Sequence, residues 1–330
     1  MLTVTECFDE TRVNRWFKTV MKRQVEELVL SITSEKPFTN YGENYALQVQ
    51  KFMNFLDTVL FVHEKPKIQK FLLTVTECLD ETRVNKWFRT AIKLNVEELV
   101  LSMTPEYPLI FPLSFFTSDS LVVLELEYDG VLNLPNTISF PRIKILRFTY
   151  IDFVNENLTG KLFSNCPILE ELSLFDCDFH NFKVLCITSP SLKHLSIRNC
   201  RLLHQTLKVF APNLLTLTYA ADLPADFVLD SFQSLVEADV QIFSDLDQAR
   251  IYGPSIKLYQ KLSNVKLLKT SGSSFRGLSA ANTLLADLST FCNLVRLKVS
   301  SAFWGGWDPH ASFISSMKIF LWFLQLSPNL

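Results

Sequence analysis

The chain has 330 residues, 48% of them hydrophobic and 20% charged, and a formal net charge of −2 at pH 7. This is the composition of a soluble globular protein, and it excludes an intrinsically disordered chain. A charge so close to zero gives no general attraction to nucleic acid or to an anionic membrane, so we expect neither as a partner. Only eight glycines are present, which disfavours the glycine-built phosphate loops of nucleotide enzymes.

The cysteines and the N-terminus indicate a cytoplasmic or nuclear protein. Seven cysteines are scattered along the chain without a C-x-x-C pair, a pattern typical of a reducing compartment rather than of a disulfide framework. The opening residues, MLTVTECFDE, lack the basic and apolar regions of a secretory signal. No stretch reaches the roughly 18 consecutive apolar residues that a membrane span needs.

The first predicted element is a duplicated segment. Leu2 to Thr33 returns as Leu73 to Thr104, shifted by 71 residues and identical at most positions. Two copies this similar indicate a recent duplication rather than a pair of functional sites. We therefore divide the chain into residues 1–38, a duplicated partial repeat, and residues 39–330, an irregular repeat array. In the second copy, apolar residues at helical spacing predict an amphipathic helix from Asp80 to Lys93.

A finer repeat runs through the rest of the chain. The pattern apolar-x-x-apolar-x-apolar recurs from VEELVL at Val96 to LVRLKV at Leu294. Its second apolar position returns every 21 to 30 residues, and most of these steps fall within the range that leucine-rich repeats occupy. The positions are Leu99, Leu124, Leu146, Leu172, Leu195, Leu217, Ala238, Leu268 and Leu297.

Each copy of this pattern predicts one short strand whose leucines point into a core that only stacked neighbours can close. The predicted fold class is therefore α/β: a leucine-rich-repeat solenoid, a curved horseshoe with parallel β-strands on the concave face and helices on the convex face. Cys177 and Cys200 each end an extended copy of the pattern, and we expect both to be buried core residues rather than reactive thiols.

The side chains between the strand leucines carry the functional prediction. They face the inside of the horseshoe, where curved solenoids present an extended surface for binding. At any single position, ordinary exposure to solvent is the simpler interpretation. As a group, these side chains are the predicted site for a protein target. The group consists of Glu125, Glu127, Arg147, Thr149, Phe175, His194, Ser196 and Arg198.

The residue patterns of the sequence indicate no candidate catalytic, cofactor-binding or metal-binding residues. The five histidines have no metal-ligand spacing with cysteines or carboxylates. His180 lies close to Cys177 in sequence, but a loop position after a strand predicts a solvent-facing histidine rather than a Cys–His nucleophile. The stretch from Gly272 to Gly277 lacks the lysine and the spacing of a phosphate loop. We therefore expect no cofactor and no enzymatic activity; an enzyme of unknown class is the remote alternative.

Several phrases of the chain are distinctive, among them VNKWFRTAIKLNVEELVLSM, LFSNCPILEELSLFDCDF and ITSPSLKHLSIRNC. They resemble the plant F-box proteins that combine leucine-rich repeats with a C-terminal FBD domain, and the resemblance covers most of the chain from about Tyr41 onward. It implies a substrate-recruiting subunit of an SCF-type ubiquitin ligase. In that family an N-terminal F-box docks on a Skp-type adaptor, and the repeats hold the target protein.

Both ends of the chain differ from the full pattern of this family. No F-box-like stretch precedes the repeat sequence at Leu2, and Ser327 to Leu330 repeats the phrase that opens a strand at Ser189. We therefore expect a chain cut within a repeat at both ends, without the F-box and before the FBD-like region. A ubiquitin-ligase role then follows from the family and not from residues present here. Two functions stay open: a protein-binding module derived from a substrate receptor, and a degenerate fragment that acts at most as a decoy.

Overall fold

The computed structural model describes residues 2–4, 27–32, 43–61, 68–75, 80–103, 109–243, 248–272, 274, 290–300, 321 and 324–330. The chain consists of two compact units, Met1–Asp152 and Phe153–Leu330. We call them the first unit and the second unit. The predicted division between residues 38 and 39 lies outside the described residues and stays a prediction.

Parallel strands that pair in chain order form the sheet of the first unit. They are β1 (Leu2–Val4), β2 (Glu27–Ile32), β3 (Lys70–Val75), β4 (Glu98–Met103), β5 (Val123–Val131) and β6 (Ile145–Asp152). The helices are α1 (Glu43–Phe61), α2 (Glu81–Lys93) and α3 (Leu113–Phe116). Helix α1 contacts α2, and α2 contacts α3, so the helices form a second layer.

Alternation of side chains explains why these strands stack. In β3 and β4 every second residue is buried. Leu99 of β4 lies opposite Leu124 of β5, which in turn lies opposite Leu146 of β6, and all three are at most 1% exposed. One short strand cannot enclose its own leucines, so each repeat depends on its neighbours for a core. The strands predicted from the leucine spacing are confirmed.

Helix α2 forms where the sequence predicts it. Asp80 is the N-cap residue, and its carboxylate accepts a hydrogen bond of 2.9 Å from the backbone N–H three residues later. Val84, Trp87 and Phe88 lie on one side of the helix and are buried. The Trp87 indole N–H donates to the Asp57 carboxylate of α1 at 2.8 Å, which links the two helices.

The two copies of the duplicated segment form equivalent strands. After the shift of 71 residues, β1 corresponds to the end of β3, and β2 corresponds to β4. Their pairing differs, because Leu2 lies opposite Leu28 whereas its equivalent Leu73 lies opposite Leu101. The two pairings therefore differ in register by two residues.

The second unit contains two parallel sheets. The larger has the order β7 (Glu171–Phe175), β9 (His194–Arg198), β11 (Thr216–Ala221), β13 (Glu237–Ile242), β14 (Leu267–Ser271) and β15 (Arg296–Ser300). The smaller consists of β8 (Val184–Thr188), β10 (Thr206–Phe210) and β12 (Asp226–Leu229). The helices are α4 (Glu156–Ser164) and α5 (Gln248–Lys261).

The buried positions of the repeat continue through the larger sheet. The predicted residues Leu172, Leu195, Leu217, Ala238 and Leu268 lie opposite one another in successive strands, and each is at most 5% exposed. Leu297 of β15 continues the column but is only half-buried, since β15 has a neighbouring strand on one side only within the described ranges.

We expected the layer opposite the main sheet to consist of helices, but part of it in the second unit consists of strands. Helix α4 contacts β8 and α5 contacts β12, so three strands occupy the space between the two helices. The sequence explains the difference. Leu185 and Ile187 in β8, and Leu207 and Val209 in β10, are buried at every second position. That period suits a strand and not a helix.

Aromatic rings fill much of the core in both units. In the first unit Phe88 stacks on Phe111, with ring centroids 5.4 Å apart, and Phe111 meets Tyr128 edge to face at 5.6 Å. In the second unit Phe153 stacks on Phe179 at 5.3 Å. Each such pair contributes about 0.5–1.5 kcal/mol beyond the area it buries. Many of the 28 phenylalanines are therefore core residues.

Removing one leucine from the buried column tests this packing. Leu172 is fully buried, so Leu172→Ala should lower the free energy of unfolding by about 2–5 kcal/mol, through lost burial and the cavity left behind. The measurement is urea unfolding followed by circular dichroism. Ser173→Ala, at the adjacent solvent-facing position, is the matched control and should change the stability by less than about 0.5 kcal/mol. Equal effects of the two substitutions would contradict the assignment of faces.

Candidate functional site

The open face of the first unit is the solvent-facing side of β2 to β6. Strand register arranges its side chains in three rows that cross the sheet, and none of these side chains is fully buried. The predicted residues Glu125 and Arg147 are neighbours in one row, and Glu127 and Thr149 are neighbours in another. The rows are Glu27–Lys70–Glu98–Val123–Ile145, Val29–Leu72–Val100–Glu125–Arg147 and Ser31–Thr74–Ser102–Glu127–Thr149.

Both basic side chains in the rows of this face form ion pairs. Arg147 pairs with Glu125 on the adjacent strand, and Lys70 pairs with Glu98 at 2.9 Å. The hydrogen bond to Glu98 raises the pKa of Lys70 against a lowering by burial, and the charges of Glu98, Glu27 and Glu125 raise it further. Because the pairs are partly exposed, each stabilises the fold by only about 0.2–1 kcal/mol. Their main effect is on the charge pattern of the surface.

An apolar stripe crosses the same face. Val29, Leu72 and Val100 are successive members of one row, and Val123 and Ile145 continue the stripe in the next row. All five are half-buried although they lie on the solvent side. Five strands spaced by about 4.8 Å make the stripe about 19 Å long. The face therefore offers apolar contact between charged groups.

The open face of the second unit is the solvent-facing side of its larger sheet. Phe175 of β7 lies opposite Arg198 of β9. The Arg198 Nε donates to the Ser196 hydroxyl at 3.3 Å, and the His194 Nδ1 lies 2.8 Å from the Thr216 hydroxyl. The structure thus places all eight predicted residues on solvent-facing strand positions, four in each unit.

Charged residues also lie on the later strands of this face, where the predicted group included none. Glu237 of β13 pairs with Lys269 of β14, and the hydrogen bond between them raises the pKa of Lys269. Asp239 lies opposite Lys269 and accepts a hydrogen bond from the Gln241 amide at 3.1 Å. The sequence could have indicated them, because these residues lie between the apolar positions of the patterns LVEADV and VKLLKT.

The residues considered for a Cys–His nucleophile have separate roles. The His180 side chain is 67% exposed, and its Nε2 pairs with the Asp178 carboxylate at 2.8 Å. Cys177 is buried and its thiol donates to the Phe175 carbonyl. Cys200 is also buried, with thiol contacts to backbone carbonyls. The predictions of a solvent-facing histidine and of buried cysteines are confirmed.

A groove of about 550 Å³ lies beside α2, away from the open face of the first unit. Lys86, Arg89 and Ile110 contribute to its lining. Glu81 also lines it, but its carboxylate is engaged by the Ile110 N–H at 3.2 Å. Across the described ranges, no three His, Cys, Asp or Glu side chains are grouped to hold a metal ion. The helices of those ranges include none with the length and hydropathy of a membrane span.

Comparison with known proteins decides the family. A family model described as "At1g61320/AtMIF1, LRR domain" matches residues 59–301, well over half of the chain. The chain belongs to this leucine-rich-repeat family. The match and the stacked parallel strands together confirm the predicted leucine-rich-repeat solenoid. No solved structure matches the chain.

Curated relatives of this leucine-rich-repeat chain come from Arabidopsis thaliana. The F-box/LRR-repeat protein At3g59210 is 26% identical over 286 residues, covering 80% of this chain and 58% of the relative. The F-box/LRR-repeat protein At4g14096 is 27% identical, covering 81% and 58%. The FBD-associated F-box protein At4g10400 is 25% identical, covering 86% and 63%. The resemblance to F-box proteins with repeats is confirmed, and the chain spans less than two thirds of the length of these relatives.

Thiol labelling tests the contrast between buried and exposed cysteines. Burial raises the pKa of Cys166 to about 12, so this thiol is protonated and shielded at pH 8, whereas Cys292 is exposed. N-ethylmaleimide should therefore label Cys292 within minutes and leave Cys166 and Cys200 unlabelled until the protein is unfolded. Peptide mass spectrometry with and without urea measures this. Rapid labelling of Cys166 in the native protein would contradict the described packing.

Proposed function

We propose that this leucine-rich-repeat chain is a protein-interaction module that holds a target protein on its open faces and catalyses no reaction. The observation that carries the proposal is the division of side chains in every repeat. One set of alternate residues is used for the core, and the other set leaves charged, aromatic and apolar groups on the sheet surface. Extended surfaces of this kind on solenoids bind proteins.

The residue types on these faces support the proposal. Arg198 and Phe175 lie side by side in the second unit, and both are residue types that anchor protein interfaces. The first unit combines an apolar stripe with charged rows, which suits a partner with apolar and charged groups. A target bound here would cover side chains that the fold does not need for its own core.

The finer role that we propose is target recruitment for an SCF-type ubiquitin ligase. The relatives named F-box/LRR-repeat proteins support it, because they share the repeat region with this chain. A Skp-type adaptor is the partner that such a role requires. The second candidate is a competitor that binds the targets of a related receptor through the shared repeat region, without the adaptor.

Alanine substitutions on the two faces test the binding role. Leu72→Ala shortens the centre of the apolar stripe in the first unit, and Phe175→Ala with Arg198→Ala changes the second unit. Loss of an interface anchor costs about 2 kcal/mol or more, so capture of a defined target should fall at least about tenfold for the face that it uses. The measurement is affinity capture from plant extract with quantitative mass spectrometry, followed by binding of the purified target.

Arg89→Ala, at the groove beside α2, is the matched control and should leave capture unchanged. Normal binding by all the face variants would contradict the proposal. The same experiment separates the two candidates: a Skp-type adaptor captured with the target supports recruitment, and the target without the adaptor supports competition.

A further inference from the structure

We propose that the open face of the first unit binds a basic amphipathic helix of its partner, with apolar side chains on the apolar stripe and lysines or arginines beside it. The inference rests on the proposed protein-binding function and names the chemistry of the partner. It depends on three features of this face: the balance of its charges, the position of one carboxylate and the spacing of its apolar residues.

The charge of this face is negative. Its three rows carry the carboxylates of Glu27, Glu98, Glu125 and Glu127 and only two basic groups, both already paired with carboxylates. Asp129 and Asp152 are exposed towards the carboxyl ends of β5 and β6 and add to the negative charge there. The exposed basic residues Arg142 and Lys144 precede β6, at the opposite end of the strands. A partner segment with positive charge is therefore favoured across the rows.

Glu127 is the carboxylate best placed to receive such a partner. It is exposed, and within the described residues no ion pair involves it. Its neighbours in the row are Ser102 and Thr149, which carry hydroxyls and no charge. The regular pairing of β5 with β6 is interrupted after Glu127 and resumes at Gly130 with a shifted register. Glu127 is therefore the last residue of β5 in the regular rows. A lysine or arginine of the partner would meet Glu127 without displacing a basic group of the chain.

The spacing of the apolar stripe fits a helix better than an extended segment. The stripe advances by one strand at each step, about 4.8 Å across the sheet, with one diagonal step from Val100 to Val123, where it moves two residues along the strands. Successive turns along one side of an α-helix repeat at about 5.4 Å, whereas same-side residues of an extended chain repeat at about 6.8 Å. A stripe of about 19 Å matches a helix of about 13 residues. Strands β2 to β5 are paired on both edges, so these four strands offer no free edge to a partner strand.

Synthetic peptides test the inference on the full chain. The first peptide is a helix of about 14 residues with leucines along one side and lysines beside them, and the second replaces every lysine with glutamate. We expect the lysine peptide to bind in fluorescence anisotropy, to weaken with added salt, and to exceed the glutamate peptide by about tenfold or more in affinity.

Two variants locate the binding. Glu127→Lys reverses the exposed carboxylate and should weaken the lysine peptide about fivefold to tenfold. Leu72→Gln makes the centre of the stripe polar and should weaken it by a similar factor. Asp119→Lys, an exposed charge reversal in the loop before β5, is the matched control for the change in net charge and should have little effect. Thermal unfolding of each variant identifies any loss of folding. If Leu72→Gln does not fold, Glu127→Lys still tests the inference, because Glu127 is exposed and its substitution leaves the core unchanged.

The outcomes separate this inference from the proposed function. Equal affinities of the two peptides would overturn the basic-helix inference. An affinity of the lysine peptide that is unchanged by Glu127→Lys would overturn it as well. If the glutamate peptide bound instead and Leu72→Gln weakened it, the face would still bind a protein segment and only the partner chemistry would be wrong. If neither peptide bound, and Leu72→Gln also left the capture of targets unchanged, the binding role of this face would fail as well.

Discussion

The contact between a buried leucine and its counterpart in the next strand is the interaction on which each unit depends. Leu99, Leu124 and Leu146 form one such column in the first unit, and Leu172 and Leu195 begin another in the second. The backbone repeats with the side chains. The carbonyl of Glu170 accepts the N–H groups of Lys193 and His194, and the equivalent bond pair recurs at the start of the neighbouring strands. No repeat closes its core alone, so the stack folds as a whole.

This constraint also leaves one side of each sheet free for function. Because side chains alternate along a strand, a row of buried leucines implies a row of outward side chains at the same spacing. The core determines where the outward rows lie but not which residues occupy them. Charged pairs such as Lys70–Glu98 stand beside apolar residues such as Leu72 on one continuous surface. Binding chemistry can therefore vary from repeat to repeat without a cost to the core.

Leucine spacing was sufficient to predict the strands of the two main sheets from β4 onward and the leucines that pack between them. It was not sufficient for the second layer, where β8, β10 and β12 replace helices. Their alternating residues, such as Leu185 and Ile187, are readable as strands, but the segments are short and lie between the copies from which the leucine spacing was taken. The helix α2 was predictable because a cap at Asp80 and a regular apolar side both mark it.

The candidate site could be predicted as a set of positions but not as a pattern of contacts. The alternation alone places Glu125 and Arg147 on the solvent side. That the two neutralise each other depends on the register of β5 and β6, which a single sequence does not reveal. The same holds for Glu237 and Lys269, which are 32 residues apart. The exposed carboxylate of Glu127 and the apolar stripe are visible only once the rows are aligned.

Lysine footprinting of the chain bound to a captured target tests whether the target binds on the open faces. Lys70 and Lys269 lie on the open faces of the two units, whereas Lys93 is exposed at the end of α2. Acylation followed by peptide mass spectrometry compares each lysine with and without the target. We expect the target to reduce the modification of Lys70, of Lys269 or of both, and to leave the modification of Lys93 unchanged. Protection of Lys93 with no change at Lys70 or Lys269 would contradict binding on the open faces.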